Sequence, residues 1–204
     1  MASNSSRYTA VAIILHWLIA TGVFLLIAIG LTMAHGAITA ATKFQLFQLH
    51  KSVGITVLGL IVARIVWRLG HRPPALPDTM PPIERKAAAS THFVFYLLLL
   101  GLPLSGWALV SVSPINIPTF LFGLVRWPHI GFLASLHNKA AIAAVLDNVH
   151  AYGAWALLTL IVLHVAAALR HHFLIGDDVL GRMLPAVGPT PANDAFHTSQ
   201  EDRK

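Results

Sequence analysis

Four long stretches of this chain are apolar on every side of a helix, and short polar segments separate them. Val11–Met33 carries no charge. Phe47–Leu69 has Lys51 near one end and Arg64 and Arg68 near the other, and Ser90–Val112 and Val149–Leu169 again carry none. About 20 apolar residues cross the hydrocarbon core of a bilayer as a helix. The pattern therefore predicts an all-α membrane protein, a bundle of four transmembrane helices. Between the third and fourth spans, Ser111–Asn148 is apolar in patches (PTFLFGLVRW, GFLASL). Pro114, Pro118, Pro128, Arg126 and Lys139 interrupt it, so it reads as a long loop with interfacial segments rather than a fifth span. Three units are expected: a cytoplasmic N-terminus over 1–10, the membrane domain over 11–185, and a disordered cytoplasmic tail over 186–204.

Composition sharpens this. Hydrophobic residues make up 56% of the 204 and charged residues 11%, where a soluble domain carries about 25% charged residues. A soluble globule and a disordered chain are both excluded. The pI of about 10.2 does not mark a nucleic-acid binder, because the basic residues alternate with apolar stretches instead of forming a patch. The chain has no cysteine, which excludes disulfides, thiolate-bound zinc, iron–sulfur clusters and covalently attached haem. Twelve histidines outnumber eight carboxylates, and that excess turns the search for chemistry to imidazole.

The first span is too long for the core of a cleaved signal peptide, about 7–15 residues, and no clear cleavage site follows it. Four spans put both termini on one side. That side holds Arg7, Arg64, Arg68, Arg72, Arg85, Lys86, Arg170, Arg182, Arg203 and Lys204, against Lys43, Lys51, Arg126 and Lys139 on the other. The positive-inside rule makes the richer side, with both termini, cytoplasmic in a multi-pass membrane protein.

The histidines fall at two depths. His16 and His164 both lie about five residues from the inner ends of their spans, while His50 and His150 lie at outer ends. His150 and His164 are 14 residues apart, within about 40° of four full turns, so they share one face and stand about 21 Å apart. Two imidazoles from different helices, with no thiolate or carboxylate nearby, suit the two axial positions of a haem iron. The expected pairs are His16 with His164 and His50 with His150. His92 lies at the inner end of the third span without an obvious partner. His171 and His172 follow Arg170 at the inner end of the fourth, as interfacial anchors or as groups that exchange protons beside a quinone. His35, His71, His129, His137 and His197 fall in loops or the tail and read as solvated.

These residues sit in stretches that resemble the bacterial cytochrome b561 family, four-helix dihaem b proteins of the inner membrane. The matching segments are RYTAVAIILHWL, LHKSVGITVLGLIVARIVWRL, STHFVFYLLLLGLPLSGW and VHAYGAWALLTLIVLHVAAALRHHF, with RPPALP and RMLP between and after them. The resemblance runs over about residues 7–185. It implies haem b ligation by His16, His50, His150 and His164, two haems per chain, and transmembrane electron transfer with ubiquinone as the lipid-phase partner. It also implies a superoxide:quinone oxidoreductase that takes an electron from superoxide on the periplasmic side. Around His150, Asp147, Asn148 and Ala151 depart from that branch, which has a basic residue before the histidine and a glutamate after it. Arg64, Arg68 and Lys51 are candidates to neutralise haem propionates. Two other classes compete: a haem-containing membrane anchor for a soluble dehydrogenase or hydrogenase, and a His-lined metal transporter.

Overall fold

The computed structural model describes residues 7–77, 80–115 and 117–185. The tail expected over 186–204, with His197, Arg203 and Lys204, lies outside the described residues, as do residues 1–6. Four long helices form: α1 (Ala10–His35), α2 (Ala40–Gly70), α3 (Pro82–Ser111) and α5 (Lys139–Arg170). Each is long and apolar enough to cross a membrane. Threonine starts the first two. The Thr9 hydroxyl accepts the N–H of Ala12 at 3.3 Å and Thr39 that of Thr42 at 3.2 Å, which satisfies one backbone donor in each open first turn. Helix α3 starts at a proline, where the missing N–H costs nothing, and carries Pro103 inside.

The chain ends meet at one end of the bundle. The Arg7 guanidinium donates to the Leu184 carbonyl at 2.6 Å, the Tyr8 N–H to Arg182, and the Trp17 indole to Met183 at 2.9 Å. This is the terminal end below. Helix α1 packs on α2, α2 on α3, and α3 on α5. The core is Ile19, Val23, Val53, Val57, Ile61 and Leu157, with Phe95, Leu98, Leu99, Leu102 and Ile161 against it. Gly22 permits the α1–α2 approach, because a Cβ there would stand 2.6 Å from Val57 Cγ2. Most other large apolar side chains face outward, an arrangement that suits lipid and not water.

The segment between α3 and α5 is more ordered than its prolines suggest. Strands β1 (Thr119–Leu121) and β2 (Val125–Trp127) form an antiparallel hairpin, and a short helix α4 (Gly131–Ala134) follows. The three-residue connection Phe122–Leu124 places Phe122 at φ 50° and Gly123 at φ 76°, both left-handed, and the Leu124 N–H donates back to the Leu121 carbonyl at 2.9 Å. Helix α5 then begins at Lys139, ten residues before the expected start of the span. Its extra turns are alanine-rich (KAAIAAVL), and alanine has the highest helix propensity.

The hairpin lies against the other end of the bundle. Lys51 Nζ and Gln48 Nε2 each donate to the Pro118 carbonyl at 3.2 Å. The Ser52 hydroxyl lies 3.1 Å from the Phe120 carbonyl and accepts the Phe122 N–H at 3.0 Å. On α3, the Trp107 indole donates to Pro128 and Ser111 Oγ accepts the Ile130 N–H, both at 2.9 Å.

Candidate functional site

Four helices each carry a special residue at two levels 14 residues apart: His16 and Gly30 on α1, His50 and Arg64 on α2, His92 and Gly106 on α3, His150 and His164 on α5. Fourteen residues are close to four turns, so each helix presents both members of its pair on nearly the same face. The helices alternate in direction, and the members sort into two layers. Gly30, His50, Gly106 and His150 form the layer near the hairpin. His16, Arg64, His92 and His164 form the layer near the termini. The apolar core lies between them.

The His50 and His150 rings have centres 6.2 Å apart at 70°. A metal–imidazole nitrogen bond is about 2 Å long, so two rings on opposite sides of one metal have centres about 6 Å apart. The Nδ1 of His150 lies 3.1 Å from the Leu102 carbonyl and 3.0 Å from Ser105 Oγ. A carbonyl only accepts, so Nδ1 carries the proton and Nε2 is left bare for a metal. The Nδ1 of His50 is buried without a hydrogen-bond partner. Glycine clears space beside each ring: a Cβ at Gly106 would stand 3.2 Å from His150 Cε1, and one at Gly30 3.7 Å from His50 Cε1.

In the terminal layer the His16 and His164 rings have centres 6.5 Å apart. His92, left without a partner by sequence alone, has its ring centre 6.2 Å from that of His164 as well, and Phe95 packs edge-on against His164 at 5.2 Å. Arg64 donates to the Ala12 carbonyl at 2.7 Å. Arg68 lies over the Tyr96 ring and Lys51 over that of Phe47. The three cations considered for propionates are thus already engaged with the protein, and Lys51 holds the hairpin.

Beyond the terminal layer, α5 runs into one π-helical turn, His171–Ile175. His171 turns toward Asp177 and Glu84, while His172 is exposed and packs edge-on against Phe173. Of the loop histidines, His71 stacks flat on Trp67 at 3.8 Å and His129 has a buried, unpartnered Nε2. His71 is exposed, as expected of a solvated group, whereas His129 is not. Glu84 and Asp177 escaped sequence reasoning, and so did the two layer glycines. The 14-residue spacing shared by all four helices was the signal for the glycines.

An apolar helical bundle with cross-helix imidazole pairs at two levels, and no thiolate, is the architecture of a membrane cytochrome b. The sequence profile of the prokaryotic cytochrome b561 family matches residues 7–186, and the chain belongs to that family. It is 34% identical over 182 residues to "Cytochrome b561 homolog 2" of Escherichia coli (strain K12), covering 89% of this chain and 93% of that one. It is 29% identical to "Cytochrome b561 homolog 1" of the same organism, over 88% and 98% of the two chains. It is 31% identical to "Probable superoxide oxidase CybB" of Yersinia pestis, over 88% and 96%. The family implies a b-type haem and electron transfer in a membrane. The histidine layers fit that group through their ring spacing, the bare Nε2 of His150, the unpartnered Nδ1 of His50 and the glycine clearances.

Proposed function

We propose that the protein holds two b haems, one between His16 and His164 and one between His50 and His150, and conducts electrons across the inner membrane to ubiquinone. The observation that carries this reading is the pair of imidazole contacts at 6.5 and 6.2 Å, one at each end of an apolar core. Bound haem supplies a one-electron carrier at each level. The residues supply everything else. The hydrogen bond from His150 Nδ1 to Leu102 fixes the ring and makes its Nε2 a better donor. Ile19, Val23, Val57, Ile61 and Leu157 keep water out of the space between the layers. His16, His164, His50 and His150 would hold the two haem irons, and the bound haems would supply outer-sphere electron transfer.

The terminal end, with the larger share of Lys and Arg, is cytoplasmic. The donor approaches the hairpin end, where Arg126 and Lys139 attract a small anion. The printed name of the Yersinia relative makes superoxide the donor to test first. Ubiquinone accepts electrons at the terminal end, beside His92, His171 and His172. Stopped-flow mixing of the oxidised protein with superoxide, followed by ubiquinone, tests the reading. The expected result is fast reduction of both haem signals and reoxidation by the quinone. No reduction by superoxide would leave a haem-containing anchor for a soluble dehydrogenase or hydrogenase as the better account.

A further inference from the structure

Reduction of a quinone consumes protons as well as electrons, and the terminal end contains a cluster suited to supplying them. His171 follows His164 by seven residues, so it lies within about 20° of the same face and about 10 Å further toward the terminal end. The π-helical turn and Gly176, at φ 72°, fold the chain back there and bring Asp177 onto the imidazole. His171 Nδ1 stands 2.5 Å from Asp177 Oδ2. The other oxygen of Asp177 accepts the Val179 N–H at 3.1 Å, and the Asp177 N–H donates to the His171 carbonyl at 3.2 Å. The carboxylate is therefore held from both sides.

The opposite ring nitrogen, Nε2, faces Glu84 Oε2 on the first turn of α3 at 3.7 Å. That gap is too long for a direct hydrogen bond and suits a water or a small rotation. Arg170 pairs with the other Glu84 oxygen at 3.3 Å. Exposure falls steadily along the series: Arg170 side chain 53%, Glu84 30%, Asp177 16%, His171 13%. Next to Asp177 in sequence, Asp178 pairs with Arg182 at 2.8 Å.

We propose that Glu84, His171 and Asp177 form the proton-delivery site of this end of the protein, with Glu84 as the entry group and Asp177 as the positioning residue. The proposal rests on the quinone reading above. The Nδ1–H stays on Asp177. Nε2 takes a proton from Glu84, which recovers it from water, and passes it to a quinone oxygen. Two superoxide anions give two electrons and become two molecules of oxygen, and the quinone takes those electrons and two protons to become the quinol. An imidazole held at one nitrogen by Asp177 can gain and give up a proton at the other without turning. A plain surface staple would need only the Arg170–Glu84 pair.

The test uses the full-length haem-loaded protein in detergent, reduced beforehand and mixed with a short-chain ubiquinone from pH 5.5 to 9. Haem oxidation is followed by absorbance, and proton uptake by a pH-indicator dye in weak buffer. His171→Gln should slow reoxidation about a hundredfold above neutral pH, the scale of a lost general acid, and less at low pH. Added imidazole should restore much of the rate in His171→Gly. Asp177→Asn should shift the pH profile, and Glu84→Gln should slow proton uptake while Glu84→Asp preserves it. All variants should keep wild-type haem spectra. If quinone oxidises the wild type, and the variants match it at every pH, the relay is overturned and the quinone reading stands. Loss of haem in all of them together, without imidazole rescue, would show a structural staple and also overturn it. If quinone fails to oxidise the wild type, both readings fall together.

Discussion

The two histidine layers are built from the same four helix positions yet differ in what surrounds the rings. Near the hairpin the set is Gly30, His50, Gly106 and His150; near the termini it is His16, Arg64, His92 and His164. Two glycines in the first layer leave each imidazole one partner and open space beside it. In the second layer, those glycine positions are occupied by His16 and His92. His164 consequently has two imidazole neighbours at almost equal distance, 6.5 and 6.2 Å. The hairpin layer is also roofed by backbone bonds to Gln48, Lys51 and Ser52. The terminal layer instead grades outward through His171 to exposed charge. On the proposed reading both layers hold a haem, and the terminal layer also leads to the group that would exchange protons with a lipid-borne partner.

The largest effect should come from the proposed ligand histidines. His50→Ala and His150→Ala should each abolish one haem signal in low-temperature spectra, and His16→Ala and His164→Ala the other. His92→Ala should retain both. Loss of haem in His92→Ala together with retention in His16→Ala would move the terminal pair to His92 and His164.

Glycine substitutions sharpen the contrast at the other layer. Gly106→Leu drives side-chain atoms into the His150 ring. It should cost about 1–3 kcal/mol and remove the hairpin-side signal selectively. Gly106→Ala, with its Cβ 3.2 Å from Cε1, should shift that signal without abolishing it. Gly30→Ala meets only an ordinary contact at 3.7 Å. It should leave both signals intact and gain up to about 1 kcal/mol from helix propensity.

The roof can be loosened on its own. Ser52→Ala leaves the Phe122 N–H without its acceptor and should cost about 1–3 kcal/mol. Faster amide hydrogen exchange confined to 119–127 would report it, with the terminal-side haem spectrum unchanged. The smallest effect concerns steering. The rate of reduction by superoxide should fall a few-fold as salt rises from 0.01 to 0.1 M, where the screening length drops from about 30 to 10 Å. Arg126→Gln should flatten that dependence. Reoxidation by neutral ubiquinone should not respond to salt in either form.

Much of this was legible in the chain. The four spans came from unbroken apolar runs, and the imidazole pairs from depth and the 14-residue period of α5. The hairpin was not legible. Its turn places Phe122, rather than Asn or Asp, in the left-handed region, so the usual turn signal is missing. The early start of α5 was hidden by Lys139 and Asp147, which interrupt an otherwise alanine-rich helix. His92 looked unpartnered because its neighbour lies 72 positions away on α5.

The sequence by itself determined the spans, their alternation and the depth of the four paired histidines, because hydropathy and helical rise act locally along one segment. Only the tertiary structure decided which neighbours each ring meets: Leu102 and Gly106 at His150, His92 at His164, and Glu84 and Asp177 at His171. Those contacts depend on how separate helices rotate and pack against one another. Interhelix packing is set by the whole bundle, through steps such as the Gly22–Val57 approach, and no single segment contains it.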